Sequence, residues 1–236
     1  MTGSTALGAT APSFAIVIPA YDCAATIESA VTGALGHRKP VVVVDDGSMD
    51  QTAEIAARAG ATVLSNGRNL GKGESLRRGL RHCRDLGMSH AVTMDGDGQH
   101  LPDQIPALIA AATAEPTAIV IGQRIIDPAT VSANRLFGNR FANRWVEIAC
   151  HEAIPDTQSG FRVYPVRATL ALSCRARRFA FETEVLIRGV RGGLSIVSVP
   201  TEVYYPPPEV RTSHYRPWAD TVRIIFVVLG LIFRVY

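Results

Sequence analysis

Short runs of apolar and β-branched residues alternate with helical patterns from residue 14 to about residue 122. The runs are continuous and do not alternate between apolar and polar side chains, which is typical of strands buried on both faces of a sheet. Repeated strand–helix units with short connections predict a mostly parallel α/β sheet with helices on both faces. The predicted strands are Phe14–Ile18, Val41–Val44, Thr62–Leu64, Ala91–Met94 and Ile119–Ile121, and helices are expected to begin near Ala24, Gln51, Gly73 and Asp103.

The pattern is less regular in the second half of the chain. There we expect helices at Asn134–Cys150 and Phe181–Arg191 and strands at Phe161–Tyr164 and Leu194–Val199. No linker interrupts the sequence, and its 47% hydrophobic content is that of a packed globule. We therefore expect a loose tail at residues 1–12, one domain at residues 13–217, and an apolar helix at residues 218–236. The four cysteines are far apart and lack zinc-site spacing, which indicates reduced, buried thiols in a cytosolic protein.

The C-terminal helix has an uninterrupted apolar segment, residues 224–233. As a helix this segment would be about 15 Å long, half of a hydrocarbon core of about 30 Å, so it cannot cross a bilayer alone. Two interpretations remain open at this point. The helix packs in the core or in a homodimer interface, or it docks on a membrane surface with Trp218 and Tyr236 at the level of the headgroups.

Polar residues suited to a nucleotide follow the first three predicted strands. Ligands of open α/β sheets bind beyond the carboxyl ends of the strands, so these positions are candidate donor contacts. A carboxylate there can accept hydrogen bonds from a base or a ribose, and a glycine-flanked lysine that opens a helix would face a phosphate. The segments are Pro19-Ala20-Tyr21-Asp22, Asp45-Asp46-Gly47-Ser48 and Asn69-Leu70-Gly71-Lys72-Gly73.

The fourth strand runs into Asp95-Gly96-Asp97-Gly98-Gln99-His100. Residues two apart in an extended segment point to the same side, so Asp95, Asp97 and Gln99 can converge. Two carboxylates and an amide oxygen suit Mg²⁺ or Mn²⁺, and Gly96 lets a diphosphate approach the backbone. A calcium EF-hand loop is excluded, because His100 and Pro106 stand where that loop needs Gly and Glu.

Downstream arginines could form a positive pocket for a phosphate. The candidates are Arg124, Arg162, Arg211 and Arg216. We interpret the pairs Arg77-Arg78 and Arg177-Arg178 as solvated surface residues. The net charge of +3 and the lack of a basic stripe interleaved with aromatic residues argue against a nucleic-acid partner.

In order and spacing, these motifs resemble the large inverting glycosyltransferase family 2 of the A-type fold. Within that family, the chain is similar to the dolichyl- or polyprenyl-phosphate mannosyltransferase branch. The resemblance covers residues 14 to about 220 and implies a Rossmann-like sheet. It rests on Ile18-Pro19-Ala20-Tyr21, Val44 to Ser48, Asn69 to Gly73, Asp95 to Pro102, Ser159-Gly160-Phe161-Arg162 and Phe181-Glu182.

The resemblance also implies a role for each matching position. On the donor side, Pro19 and Tyr21 would pack on the nucleotide, Asp45 or Asp46 would bind its base or ribose, and Lys72 would lie near the donor. Asp95, Asp97 and Gln99 would hold the metal. On the acceptor side stand Ser159, Arg162 and Glu182, with Arg124 and Arg216 as phosphate contacts. The chain departs from the family after Tyr21, where Asp22-Cys23 replaces the usual Asn-Glu and leaves donor choice open.

The expected activity is metal-dependent, inverting transfer from a GDP- or UDP-sugar to a polyprenyl phosphate at the inner face of the cell membrane. Asp97 and Arg162 are the expected catalytic residues. A phosphate acceptor is already ionised and needs no general base, whereas a hydroxyl acceptor needs one, for which Asp156 is the candidate. A non-catalytic nucleotide-sugar-binding protein and a metal-dependent nucleotidyltransferase are the alternatives. A dinucleotide oxidoreductase is excluded, since Pro19-Ala20-Tyr21 stands where Gly-x-Gly-x-x-Gly is required.

Overall fold

The computed structural model describes residues 11–125, 143–204 and 217–233, the last range with side chains from residue 223 onward. In these residues a seven-stranded sheet has the order β3-β2-β1-β4-β6-β5-β7. Strand β6 runs antiparallel to its neighbours β4 and β5, and the other pairs are parallel. The strands are β1 Phe14–Ala20, β2 Val41–Asp45, β3 Thr62–Ser65, β4 His90–Thr93, β5 Ile119–Arg124, β6 Arg162–Pro165 and β7 Ile196–Thr201.

Helices cover both faces of this sheet. A short 3-10 turn, Pro102–Gln104, precedes the fourth helix. The helices are α1 Ile27–Leu35, α2 Thr52–Arg58, α3 Lys72–Asp85, α4 Ile105–Ala114, α5 at residues 143–150, α6 Val166–Ala171, α7 Ala180–Arg191 and α8 Pro217–Ile232. The predicted mostly parallel α/β sheet is confirmed.

The sequence pattern located the strands better than the helices. Each of the first five strands overlaps its prediction, but α1 begins at Ile27, three residues after Ala24. Helix α6 was not expected, because its six residues are too few to show a helical period. The predicted helix Asn134–Cys150 is helical at residues 143–150, and its earlier part lies outside the described residues.

Side chains alternate between the two faces of β1, as the two-residue period of a strand requires. Ala15 and Val17 pack toward α3 and α7, whereas Ile16 and Ile18 pack toward α1 and α4. Both faces of the sheet are therefore buried. Because helices cover both faces, a ligand can reach the sheet only at the ends of the strands.

Helix α8 packs one face on the core and turns the other outward. Ile224, Val227, Val228 and Leu231 are buried at the spacing of one helical face, while the Phe226 side chain is 70% exposed. Arg191 of α7 donates hydrogen bonds to the carbonyls of residue 149 in α5 and residue 231 in α8, which fixes the three helices together. Among the described residues, no helix has the length and apolarity to span a bilayer.

All four cysteines are free thiols in the protein interior. Burial raises the pKa of Cys23, Cys83, Cys150 and Cys174 to about 12. At neutral pH these side chains are therefore protonated, small apolar groups. The expectation of reduced, buried thiols agrees with this arrangement.

Helix α3 approaches β1 closely at a glycine. A Cβ atom built at Gly79 would overlap the Cγ1 atom of Val17, a fully buried residue at the centre of β1. Close packing of α3 on β1 sets the position of the first turn of α3, which lies at the carboxyl edge of the sheet.

We predict that Gly79→Ala lowers the free energy of unfolding by about 1–2 kcal/mol, since an overlap this close costs about 2–3 kcal/mol through overpacking and the gain in helix propensity returns only about 1 kcal/mol. Urea unfolding followed by circular dichroism measures the change. The control is Arg84→Ala on the exposed face of the same helix, which should change the free energy by less than about 0.5 kcal/mol. Equal or greater stability of Gly79→Ala would contradict the close packing described above.

Candidate functional site

A cavity lies at the carboxyl edge of the sheet, where β1, β2 and β4 end and α3 begins. Seven of the residues predicted for the donor or the metal line it, namely Pro19, Tyr21, Asp46, Lys72, Asp95, Gly96 and Asp97. The rest of the lining comes from Ala20, Cys23, Asn69, Gly71, Ser75, Arg178 and Phe179. Two further predicted residues contact the lining, Glu182 at Lys72 and Gln99 at Asp97. The other predicted residues that the structure describes are not part of the lining, namely Asp45, Arg124, Asp156, Ser159 and Arg162.

Asp46 shapes the loop that carries Lys72. Its carboxylate accepts hydrogen bonds from the backbone N–H of Leu70 at 3.0 Å, from that of Gly71 at 2.8 Å, and from the side-chain amide of Asn66 at 2.8 Å. Gly71 has a φ of +91°, in the region that favours glycine. Asp46 therefore holds the start of α3 in place, besides facing the cavity. Its neighbour Asp45 accepts a hydrogen bond from the backbone of Ser48.

Lys72 is the centre of a buried ion cluster at the cavity wall. Its Nζ atom lies 2.6 Å from Oδ1 of Asp95 and 3.1 Å from Oε1 of Glu182, and its side chain is 13% exposed. The ring of Phe179 lies on another side, with its centroid 5.5 Å from Nζ. Burial opposes ionisation of the lysine, but the two carboxylates raise the pKa of Lys72 above its usual value. The ammonium is therefore charged at neutral pH.

Gly160 explains why the predicted motif Ser159-Gly160-Phe161-Arg162 lies beside this cluster. A Cβ atom at Gly160 would be 2.6 Å from Nζ of Lys72 and 2.7 Å from Oδ2 of Asp95. The backbone just before β6 therefore closes the cluster on one side, and no other residue type fits there without displacing the ion pair.

The carboxylates of Asp95 and Asp97 share the cavity, but their pKa values are shifted in opposite directions. Burial opposes ionisation of Asp95, yet the Lys72 ammonium holds the pKa of Asp95 below its usual value. Burial and the Asp95 carboxylate raise the pKa of Asp97 to about 6. Gln99 donates hydrogen bonds to Asp97 through its backbone and its side-chain amide. Burial lowers the pKa of His100 to about 4, and the neutral ring accepts a hydrogen bond from the backbone of Asp95.

This set of oxygen ligands suits a hard divalent cation whose coordination shell is completed by oxygens of a bound substrate. In the described residues no group of three or more His, Cys, Asp or Glu side chains is arranged to hold a metal ion. Magnesium is commonly bound by one or two carboxylates together with substrate phosphates, which matches two carboxylates at the wall of an open cavity. Burial and the Asp95 carboxylate together raise the pKa of Asp97, and a cation bound between the two acids would offset both effects.

The residues predicted for the acceptor side are tied to one another. Arg124 at the end of β5 forms a bidentate ion pair with Asp156, with distances of 2.7 and 2.8 Å. Burial opposes ionisation of Asp156, but Arg124 lowers the pKa of its carboxyl group. Asp156 is therefore a weak proton acceptor in this arrangement. Arg216 lies outside the described residues.

Arg162 differs from the sequence-based expectation that it contacts an acceptor phosphate. Its side chain is 0% exposed and donates to the carbonyls of Thr157, Ser159 and Glu182 and to the hydroxyl of Tyr164. The physical reason is its place in β6, at the middle of the sheet between β4 and β5. Through these hydrogen bonds Arg162 stabilises the loop before β6, and Ser159 in that loop is also buried.

The sequence-based interpretation missed two residues of the cavity wall. The sequence indicated a solvated surface position for Arg178 and no role for Phe179, yet both line the cavity, and Arg178 lies against Gly71. Arg178 has a φ of +53°, in the left-handed region that favours glycine, and strained backbone of this kind is concentrated at functional sites. Arg77, which the sequence also indicated as a solvated surface residue, donates hydrogen bonds to the carboxylate of Glu74 and to the carbonyl of Ala176. Only the packing of α7 against α3 brings these residues to the site.

Comparisons with known proteins give a family and several relatives of the chain. The model of the family described as Glycosyl transferase family 2 matches residues 15–182. A UDP-N-acetylglucosamine–dolichyl-phosphate N-acetylglucosaminyltransferase of Methanococcus voltae is 29% identical over 80% of this chain and 85% of its own. A polyprenol monophosphomannose synthase of Mycolicibacterium smegmatis is 28% identical over 78% of this chain and 75% of its own.

The fold is also shared with solved structures. Glucosyl-3-phosphoglycerate synthase from Mycobacterium tuberculosis, in complex with Mn²⁺, UDP and phosphoglyceric acid, superposes with a TM-score of 0.73. It is 22% identical, and the match covers 94% of this chain and 78% of that protein. The likeness confirms the predicted A-type fold.

We predict that Asp97→Asn stabilises the metal-free protein in a pH-dependent way. The pKa of Asp97 rises from 3.8 to about 6 on folding, so the native state holds a proton that the unfolded state has lost between about pH 4 and pH 6. Ionised Asp97 therefore disfavours the native state above pH 6. The neutral asparagine should raise the free energy of unfolding by about 1–3 kcal/mol near pH 7.5 and by little near pH 4.

Urea unfolding in the presence of a chelator measures this difference at both pH values. Asp103→Asn, at an exposed position a few residues away, is the control and should show no such pH dependence. A stability difference for Asp97→Asn that is the same at both pH values would contradict the repulsion between Asp95 and Asp97.

Proposed function

The chain belongs to glycosyl transferase family 2, and we propose on that premise that it transfers a sugar from a nucleotide sugar to a polyprenyl phosphate. The reaction is inversion at the anomeric carbon by in-line displacement, with a divalent metal at the donor. One observation carries this proposal: the two carboxylates of Asp95 and Asp97 and the ammonium of Lys72 meet at one cavity beyond the carboxyl ends of the strands. Two relatives support it, since one is a dolichyl-phosphate N-acetylglucosaminyltransferase and the other a polyprenol monophosphomannose synthase.

On the donor side, Pro19 and Tyr21 pack against the nucleotide, and Asp46 faces its base or ribose. Asp95, Asp97 and the amide oxygen of Gln99 would hold Mg²⁺ or Mn²⁺. That ion stabilises the negative charge that develops on the leaving diphosphate. Lys72 lies next to Asp95 and adds a positive charge to the same end of the cavity. Gly96 lines the cavity, but a Cβ atom there would meet the side chains of Cys23 and Ile27, so the glycine serves the packing of this segment and not the approach of the diphosphate that the sequence predicted.

Asp156 and Arg124 favour a phosphate acceptor over a hydroxyl acceptor. A hydroxyl acceptor needs a general base, and the base candidate Asp156 is already engaged by Arg124 in a bidentate ion pair that lowers its pKa. A phosphate is ionised near neutral pH and needs only to be positioned. Arg124, together with Arg216 outside the described residues, would orient it. Ser159 and Glu182, which were also predicted for the acceptor side, are buried and are not part of the cavity lining, so they would act on an acceptor only through their neighbours.

A lipid acceptor places the enzyme at a membrane surface. The outward face of α8 carries Phe226 and Phe233, each 70% exposed, and is suited to the interface between headgroups and acyl chains. We therefore place the protein peripherally on the cytoplasmic face of the cell membrane. A homodimer through the same face of α8 is the alternative, and sedimentation of the pure protein distinguishes the two.

We predict that Asp97→Ala lowers the rate of sugar transfer by more than about 100-fold, because the charge that develops on the diphosphate loses several kcal/mol of stabilisation. The assay offers labelled GDP- and UDP-sugars with polyprenyl phosphate and Mn²⁺ or Mg²⁺, and it measures label in the organic phase. A chelator should stop the wild-type protein, and added Mn²⁺ should restore it. Asp103→Ala serves as the control. Near-normal transfer by Asp97→Ala would remove the metal role.

We predict that Asp156→Asn lowers transfer to polyprenyl phosphate by less than about 10-fold, because no proton has to be accepted there. If Asp156 were a general base, its loss would cost about 100- to 10,000-fold. Arg124→Gln is the matched variant, since it breaks the same ion pair from the other side and removes the positive charge. Binding of nucleotide sugar without any transfer under these conditions would instead favour a non-catalytic binding protein.

A further inference from the structure

In the cluster around Lys72, the ammonium lies between carboxylates, one of which is also suited to bind a metal ion. Lys72 forms ion pairs with two carboxylates, those of Asp95 and Glu182, and Asp97 is a third acid near the ammonium. The shorter of the two ion-pair distances, 2.6 Å, joins Nζ of Lys72 to Oδ1 of Asp95. Asp95 is one of the residues that would hold a divalent cation. Lys72 therefore occupies one of the two carboxylate oxygens that Asp95 could offer to such a cation.

The surroundings of Lys72 leave it few ways to move. Gly160 closes one side, where even a Cβ atom would lie 2.6 Å from Nζ. Glu182 holds the ammonium at 3.1 Å from α7, and the Phe179 ring lies 5.5 Å away. Lys72 also lines the cavity, so a ligand that enters the cavity can contact it.

We propose that Lys72 is a positioning residue that takes the place of the divalent cation at Asp95 in the metal-free protein and moves to the diphosphate when metal and nucleotide bind together. A divalent cation bound to the Asp95 carboxylate would repel an ammonium held 2.6 Å from the same carboxylate, and this repulsion weakens the ion pair between Lys72 and Asp95. When the metal binds alone, Lys72 loses its ion pair with Asp95 and forms no new one. When metal and diphosphate bind together, Lys72 replaces the ion pair with Asp95 by an ion pair with the diphosphate. The inference rests on the proposed function, and it makes metal binding and nucleotide binding strongly cooperative.

The test compares the wild type with Lys72→Met and Lys39→Met. Lys39 is the only other lysine of the chain and precedes β2, at the opposite edge of the sheet, so its replacement is a matched loss of charge. Binding of Mn²⁺ alone, measured by electron paramagnetic resonance, should be about 10-fold or more tighter in Lys72→Met and unchanged in Lys39→Met. UDP or GDP should tighten Mn²⁺ binding about 10-fold or more in the wild type and by only a few-fold in Lys72→Met.

A second measurement uses the wild-type protein and needs no folded variant. With two lysines in the chain, selective ¹⁵N-lysine labelling gives two ammonium signals in an NMR spectrum. Hydrogen exchange of the Lys72 ammonium should be slow in the metal-free protein, faster with Mg²⁺ alone and slow again with Mg²⁺ and nucleoside diphosphate, while Lys39 stays constant. Unchanged exchange on saturation with Mg²⁺, or Mn²⁺ binding to Lys72→Met no tighter than to the wild type, would overturn the placeholder role. Failure of the wild type to bind Mn²⁺ with either nucleoside diphosphate would instead overturn the proposed function.

Discussion

The buried ion pair between Lys72 and Asp95 connects the elements that form the site. It joins the first turn of α3 to the end of β4, and Glu182 adds α7 to the same contact. Buried charges of this kind are tolerable only when they are paired, so each of these residues depends on the others for its ionised state. Asp46 serves the same contact from a distance, because its hydrogen bonds to the loop before α3 hold Lys72 at the edge of the sheet.

The antiparallel strand β6 brings the second half of the chain to that edge. A parallel strand would carry its carboxyl end there, but β6 arrives with its amino end, so residues 156–161 meet the ends of β4 and β5. Gly160 then lies against the ion pair, and Asp156 reaches Arg124. Donor-side and acceptor-side residues are thus adjacent because of one reversal of strand direction within the sheet.

Local patterns in the sequence predicted the sheet and the acidic segment after β4, because both depend on residues close together in the chain. Continuous apolar runs identify buried strands, and the two-residue spacing of Asp95 and Asp97 places both at the cavity. The same reasoning could not show that Asp46 holds the loop before α3 as well as facing the cavity. It also could not show that the Arg162 side chain is fully buried. Both outcomes depend on contacts across long sequence separations, and so does the presence of Arg178 in the cavity wall.

The protonated, enclosed state of the four native thiols has a practical use. Maleimides and related reagents attack the thiolate form, which these cysteines scarcely populate near neutral pH. A cysteine introduced at Met49, whose side chain is 89% exposed, would therefore react far faster than any of them. A fluorophore could thus be attached at one chosen position with the native cysteines left in place, and the distance of that position from a lipid bilayer could then be followed by energy transfer.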